Sequence, residues 1–363
     1  TLMYTYDLGI GHNEVGDSPE AFGVEASAFH RQMVKRQELF PVSLNATATH
    51  DTKRGEDVRA RLNVLTDKSE DWTKTVKNWL KINAKEKGAA PDANDEYLIY
   101  QTMTGCYPMP GMDDGDLEER LKAYLVKALR EAKVHSGWAE PDEQYENATL
   151  SFAGKLLRDK GTFRKSFMTL QQEIADQAVI NSLTQVLLKF TCPGVPDVYQ
   201  GCESWDLSLV DPDNRRPVDY AVRSRALTAA ESVAALWQNR YNGNIKVSLT
   251  AKLFKLRRSS PDLFCKGSYR PLKIKGRQSK KLIAFARRHL DDWLLVVAPL
   301  HLAALDDNSD RPDWENTAIV LPENAPLQWS DLLGGGTQLI PGDLPVKDIF
   351  SVMPFGLLRS ARP

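Results

Sequence analysis

Residues 39–59 read LFPVSLNATATHDTKRGEDVR, and the fold class turns on this stretch. Leu39-Phe40-Pro41-Val42-Ser43-Leu44 is a short apolar approach, 45–51 is polar, and Thr52-Lys53-Arg54-Gly55-Glu56-Asp57-Val58-Arg59 is charged. A buried strand that ends in polar residues has this pattern, and catalytic residues of α/β folds sit at such carboxyl ends. The stretch predicts a strand closed by a polar loop. A second run of the same kind, residues 188–201 (LKFTCPGVPDVYQG), predicts another short strand ending in turn residues.

Between the two runs the pattern is helical. Trp72, Val76, Trp79 and Leu80 share a stripe, Leu117, Leu121, Tyr124, Leu125 and Leu129 repeat the spacing, and Ile174, Val179, Leu183, Val186 and Leu187 continue it. Gly88-Ala89-Ala90-Pro91 and Tyr107-Pro108-Met109-Pro110-Gly111 break the helices. Pro217-Val218-Asp219 predicts a further helix with Pro in its first turn, and helical periodicity runs to about Arg258. From about residue 266 the texture changes to short strands at 281–287, 293–298 and 317–321, bounded by Gly, Pro, Asp or Asn. The expected division is a strand-end region (1–65), a helical insertion (66–190), a second strand region with its helices (191–265) and an antiparallel β domain (266–363).

Composition excludes several classes. Of 363 residues, 47 are Lys or Arg and 48 Asp or Glu, so the net charge of −1 lacks the basic excess of a nucleic-acid binder. No apolar run approaches the roughly 18–20 residues of a membrane helix. Cys106, Cys192, Cys202 and Cys265 lie far apart without CxxC pairing, which predicts neither disulfides nor a zinc site and points to a reducing cytoplasm. The chain opens at Thr1 with neither an initiator Met nor a signal peptide, and is expected to be part of something longer.

The densest polar group is His50-Asp51 with Lys53, Arg54, Glu56 and Asp57. A carboxylate beside an imidazole at a strand end can bind sugar hydroxyls and stabilise developing oxocarbenium charge, which suits glycosyl transfer. The same charges also fit a salt-bridged helix start. In Asp211-Pro212-Asp213-Asn214-Arg215-Arg216-Pro217, the Pro and Asn residues can simply build turns, whereas Asp213, Arg215 and Arg216 can fork onto carboxylates or sugar hydroxyls. His12, His30, His135, His289 and His301 have no ligand spacing, so no metal is expected, and Gly334-Gly335-Gly336 reads as a β-turn. Tyr4, Tyr6, Trp138, Trp205 and Trp329 can stack on sugar rings, although packing is the commoner use of an aromatic.

The strings ATATHDTKRGEDVRARLNVL (46–65), PGVPDVYQGCESWDLSLVDPDNRRPVDY (193–220) and HNEVGDSPEAFGV (12–24), with DEYLIYQT (95–102) and SFAGKLL (151–157), resemble the maltooligosyltrehalose synthases of the α-amylase family. The resemblance runs from Thr1 to the last strands and corresponds to a C-terminal portion. It implies an α/β fold with an all-β tail: a partial (β/α)8 TIM barrel with a large helical insertion, followed by a C-terminal antiparallel β-sandwich. His50-Asp51 matches the family string at the end of the seventh barrel strand, with 188–201 supplying the eighth. The resemblance implies that Asp51 is the catalytic carboxylate that stabilises the transition state. His50, Lys53, Arg54, Asn13, Glu14, Asp213 and Arg215 are then the expected substrate-binding residues, with a structural role the stronger reading for Glu14. It also implies an isomerase without cofactor or metal, acting on maltooligosaccharide, with no nucleic-acid or membrane partner, in a pathway with a maltooligosyltrehalose hydrolase.

Two departures qualify that expectation. The family's nucleophilic Asp lies in an Arg-x-Asp-His-like string and its general acid is a Glu after another strand, and neither string is found; Arg311-Pro312-Asp313 is followed by Trp314 in the β domain. Thr5 and Asp7 stand where Arg and Asn are expected. The chain is therefore expected to be inactive alone. The alternatives are a non-catalytic glucan-binding or partner-completing module, or an α-amylase family hydrolase. With its edges unpaired, the stretch near 1–60 is expected to be altered or disordered.

Overall fold

The structure, a computed structural model, describes residues 9–15, 23–113, 115–229, 231–305, 313–314, 316–334, 336–339 and 342–360. Thr5 and Asp7, Tyr4 and Tyr6, and Arg311 and Pro312 lie outside the described residues. The fold is mixed helix and sheet. Two compact units are interleaved along the chain, one within 1–22, 48–179 and 200–218, the other within 23–47, 180–199 and 219–363.

The first unit is helical: α2 (Glu56–Asp67), α3 (Ser69–Lys87), α4 (Ala93–Cys106), α5 (Leu117–Ala132) and α6 (Glu143–Arg158), with α7 (Thr162–Thr191) running on past residue 179 and α1 (Ala26–Leu39) belonging to the second unit. The sequence stripes face inward. Trp72, Val76 and Trp79 on α3 are buried, as are all five predicted residues of α5. Each fully buried Leu contributes on the order of 1.5–3 kcal/mol. Trp79 sits edge-on to Tyr100 and Phe163, each 5.2 Å away between ring centroids. The predicted breaks hold: Gly88, at φ 66°, caps α3, and the Asp92 carboxylate caps α4 by accepting from Asp95 N at 2.9 Å.

In the second unit β1 (Leu44–Asn45) and β2 (Val195–Pro196) form a parallel pair, Leu44 opposite Val195 and Asn45 opposite Pro196. Both strands are shorter than the sequence suggested. Leu39 is the last residue of α1, and 188–191 are the last turn of α7, because Leu183, Leu187 and Phe190 keep the helical spacing into the core. Residues 23–60 are described throughout and carry α1, β1 and the start of α2. Pro217 is also not inside a helix: Asp219 caps α8 (Tyr220–Thr228), accepting from Val222 N at 3.0 Å.

Helices α9 (Val233–Gln238), α10 (Asn244–Ser259) and α11 (Pro261–Cys265) precede the strands. These are β3 (Ser268–Pro271), β4 (Lys273–Lys275), β5 (Leu282–His289), β6 (Asp292–Pro299), β7 (Ala318–Val320), β8 (Gln328–Asp331), β9 (Thr337–Leu339), β10 (Leu344–Pro345) and, after α12 (Val346–Ile349), β11 (Gly356–Ser360). They make two antiparallel sheets, ordered β3-β5-β6-β11-β8-β9 and β10-β7-β4. Arg287 on β5 is fully buried and donates to the carbonyls of Thr191, Phe264 and Gly267 and to Gln37 Oε1. Burial holds this guanidinium down at about 10.

Candidate active-site loop

The polar loop is a tight turn locked from three sides. Thr52 Oγ1 donates to Thr49 O at 2.8 Å, and Asp51 N donates to Thr49 Oγ1 at 3.2 Å. The buried Glu14 carboxylate accepts from Lys53 N at 2.8 and 3.0 Å and from Arg54 N at 3.3 Å. Asn214 Nδ2 donates to His50 O at 2.9 Å and Thr49 O at 3.3 Å. At the exit, Gly55 N donates to Ser208 O, and a Cβ on Gly55 would stand 2.6 Å from Asp206 O, so only glycine fits. Asp206 N donates to Asp57 Oδ2 at 2.6 Å, tying the start of α2 to the 206–209 segment.

These locks leave the tips of the turn in solvent. His50 is exposed, and the Asp51 side chain is 55% exposed with Lys53 Nζ at 2.9 Å from its Oδ1. The Lys53 hydrogen bond, helped by the charges of Lys53, His50 and Lys127, holds the Asp51 carboxyl below the usual range despite slight desolvation. The Asp51 carboxylate is thus ionised near neutral pH and reachable from solvent.

The other expected ligands divide. Arg54 is fully buried, with Nη1 donating to Asn13 O and Nη2 to Tyr124 Oη, so its charge faces the interior and not a substrate. Asn13 and Glu14 are buried with it. Asp213 takes Arg120 on both oxygens, at 2.8 and 3.0 Å, with Leu209 N at 2.7 Å and Arg216 Nε at 3.0 Å. Arg215 is half exposed and pairs with Asp211 at 3.0 Å. The structure therefore brings His50, Asp51 and Lys53 together at a surface, with Arg54, Asn13 and Glu14 beneath them. Sequence reasoning missed Asn214 and Asp206; the turn-forming string around Asn214 was the only hint.

Among the described residues, Asp92, Asp95 and His135 could hold a metal ion, with ligand atoms all within 4.8 Å. Asp92 already accepts from Asp95 N and lies 2.8 Å from His135 Nε2. Trp329, one of the aromatic candidates, is fully buried and belongs to the core. No described helix is long and apolar enough to cross a membrane.

No family model matches the chain. It is 36% identical over 346 residues to a protein of Mycobacterium tuberculosis provisionally named maltooligosyl trehalose synthase, covering 95% of this chain and 41% of that protein. It is also similar to the solved maltooligosyltrehalose synthase of Arthrobacter ramosus (31% identity, TM-score 0.81, 99% of this chain and 44% of that one). A hypothetical maltooligosyl trehalose synthase of Sulfolobus tokodaii matches at 32% identity and TM-score 0.77, again over 99% and 44%. The chain thus spans less than half the length of these relatives.

Proposed function

The chain is a homologue of part of the maltooligosyl trehalose synthases, and on that premise we propose that it supplies the charge-stabilising carboxylate and the scaffold of an intramolecular transglucosylation. The reaction converts the reducing-end α-1,4 bond of a maltooligosaccharide to an α,α-1,1 bond, giving a trehalose-capped chain that a hydrolase can then consume. The observation that carries the reading is the exposed His50-Asp51 pair on a turn fixed by Glu14 and Asn214. In this reading Asp51 orients sugar hydroxyls and stabilises the oxocarbenium-like transition state, and His50 and Lys53 bind the same ring. Arg54, Asn13 and Glu14 hold the turn, Asp213 anchors Arg120 to the 209–216 segment, and Arg215 extends the binding surface.

A retaining transfer also needs one carboxylate to attack and one to protonate. The family strings for both are absent from this sequence, so the chain works only with a polypeptide that carries them. In keeping with that, β1 and β2 are the seventh and eighth strands of a (β/α)8 barrel, and the two antiparallel sheets form a terminal β-sandwich; the fourfold division by sequence follows the same plan. Parallel strands are ordinarily covered on both faces, yet Leu44 is 68% and Val195 38% exposed, with Phe40 and Val42 nearby also exposed. That uncovered surface supports a barrel completed by further strands. The cysteine pattern fits a cytoplasmic setting.

The test is product analysis with maltopentaose. The chain alone should leave the reducing end intact, and mixing it with a polypeptide carrying the remaining length of the relatives should convert the ends to non-reducing trehalose units. Asp51→Asn should abolish that conversion. Trehalose-end formation by the chain alone, or full activity of the Asn variant, would overturn the reading.

A further inference from the structure

A cavity of about 690 Å³ opens between α5 and the 210–216 turn, within the usual size range of small-ligand clefts. Trp138 forms one wall and is 56% exposed. Its ring is oriented from behind: the Arg130 guanidinium lies 5.2 Å from the ring centroid, and Glu146 holds Arg130 at 2.7 and 2.8 Å. A large apolar face held open to solvent is what a pyranose ring stacks upon.

The polar lining narrows the ligand class. Arg120 is paired with Asp213, Arg216 with Asp116 and Asp213, and Lys127 donates to Asp211 O at 2.9 Å. The two arginines are compensated by carboxylates, and Glu119 and Glu131 on the same wall outweigh the charge of Lys127. A phosphate or other anion would meet repulsion there, whereas a neutral polyol finds fixed donors and acceptors.

The cavity also shares its frame with the Asp51 turn. Asn214, next to the lining residue Asp213, is the residue whose amide grips Thr49 O and His50 O. Lys127, another lining residue, is near enough for its charge to act on Asp51. We propose that this cavity is a subsite for a glucosyl unit of the same glucan whose reacting end meets Asp51, with Trp138 as its stacking face. The proposal rests on the glucan reading above.

Calorimetric titration of the chain with maltotriose and maltoheptaose tests it. Trp138→Ala should weaken maltoheptaose about tenfold, the scale of one lost aromatic stack, and leave maltotriose within about twofold. Trp138→Phe, which keeps a flat face, should recover most of the affinity, a rescue that a purely structural role would not require. Unchanged maltoheptaose binding in the Ala variant overturns the subsite and leaves the glucan reading standing. Equal weakening of both glucans overturns a separate subsite, by placing Trp138 at the reacting end. Absence of glucan binding by the unsubstituted chain overturns the glucan reading and this proposal together.

Discussion

His50 and Asp51 are followed within three residues by a charged run of a different kind. The first pair projects into solvent, whereas Arg54, Glu56, Asp57 and Arg61 are all buried. Arg61 Nη1 donates to Gly105 O at 3.1 Å and also to Thr104 O and Tyr107 O, while Nη2 reaches Met109 Sδ. The charged segment is thus two devices in one string. An inward half knits α2 to the end of α4, and an outward half is presented by that rigid base. The exposed charges face solvent, and the buried ones fix the shape that presents them.

Removing the inward half should have the largest effect. Arg61→Ala strands several buried carbonyls at once, and losing the partner of even one costs about 1–3 kcal/mol. The expected loss is about 3 kcal/mol or more, read as a lower urea midpoint of the helical unit. A change under about 0.5 kcal/mol would erase the distinction between the two halves.

Next in size is Glu14→Gln. The amide nitrogen of Gln would face Lys53 N or Arg54 N, donor against donor, where the carboxylate now accepts from both. The expected cost is about 2 kcal/mol. Faster amide exchange at Lys53 and Arg54 is the local signature, and unchanged exchange there would count against Glu14 as the lock of the turn.

These effects mark what could be read from sequence. The stripes Leu117-Leu121-Leu125 and Trp72-Val76-Trp79 were legible because burial on a helix has a period, and the strand-rich tail because alternation and turn residues have one too. Strand length was not legible: an apolar run such as 188–191 fits a helix end as well as a strand, and only packing decides. In the site, the polar His50-Asp51 pair after a short apolar run was visible as a candidate from residue type and position, and the exposure of both residues fits that reading. The inward direction of Arg54 was not visible, because a guanidinium is buried only where distant carbonyls and hydroxyls, here Asn13 O and Tyr124 Oη, happen to meet it. Asn214 was hidden for the same reason, its partners lying more than 160 residues away.

A smaller, pH-dependent effect sharpens the contrast between buried and exposed pairs. Glu146 is buried, and its carboxyl is held below the usual value of 4.5, first by the Arg130 hydrogen bond and also by Ser136. A carboxyl whose folded pKa is depressed stabilises the fold above its ordinary pKa and loses that contribution as the pH falls through the folded value. Acidification below about 4.5 should therefore loosen the α5–α6 contact, seen as a falling melting temperature. Arg130→Met should flatten that dependence, and a profile with the same slope in both proteins would show that the pair does not set it.

Asp51→Asn should have the smallest effect on stability, and the reason is geometric. Its carboxyl is also held low, by Lys53, but the side chain is 55% exposed and solvent screens the pair; an exposed ion pair of this kind is worth between about zero and 1 kcal/mol. The backbone that positions it is fixed by Thr49, Glu14 and Asn214, all through bonds to the main chain of the turn. The expected change is within about 0.5 kcal/mol in urea unfolding, with the turn's amide exchange unaltered. A carboxylate that can be neutralised at almost no cost to the fold is one the fold does not use, so any change in product formation on the same substitution would then have no structural explanation. A destabilisation as large as that of Arg61→Ala would place Asp51 in the inward half and remove the basis for assigning it to chemistry.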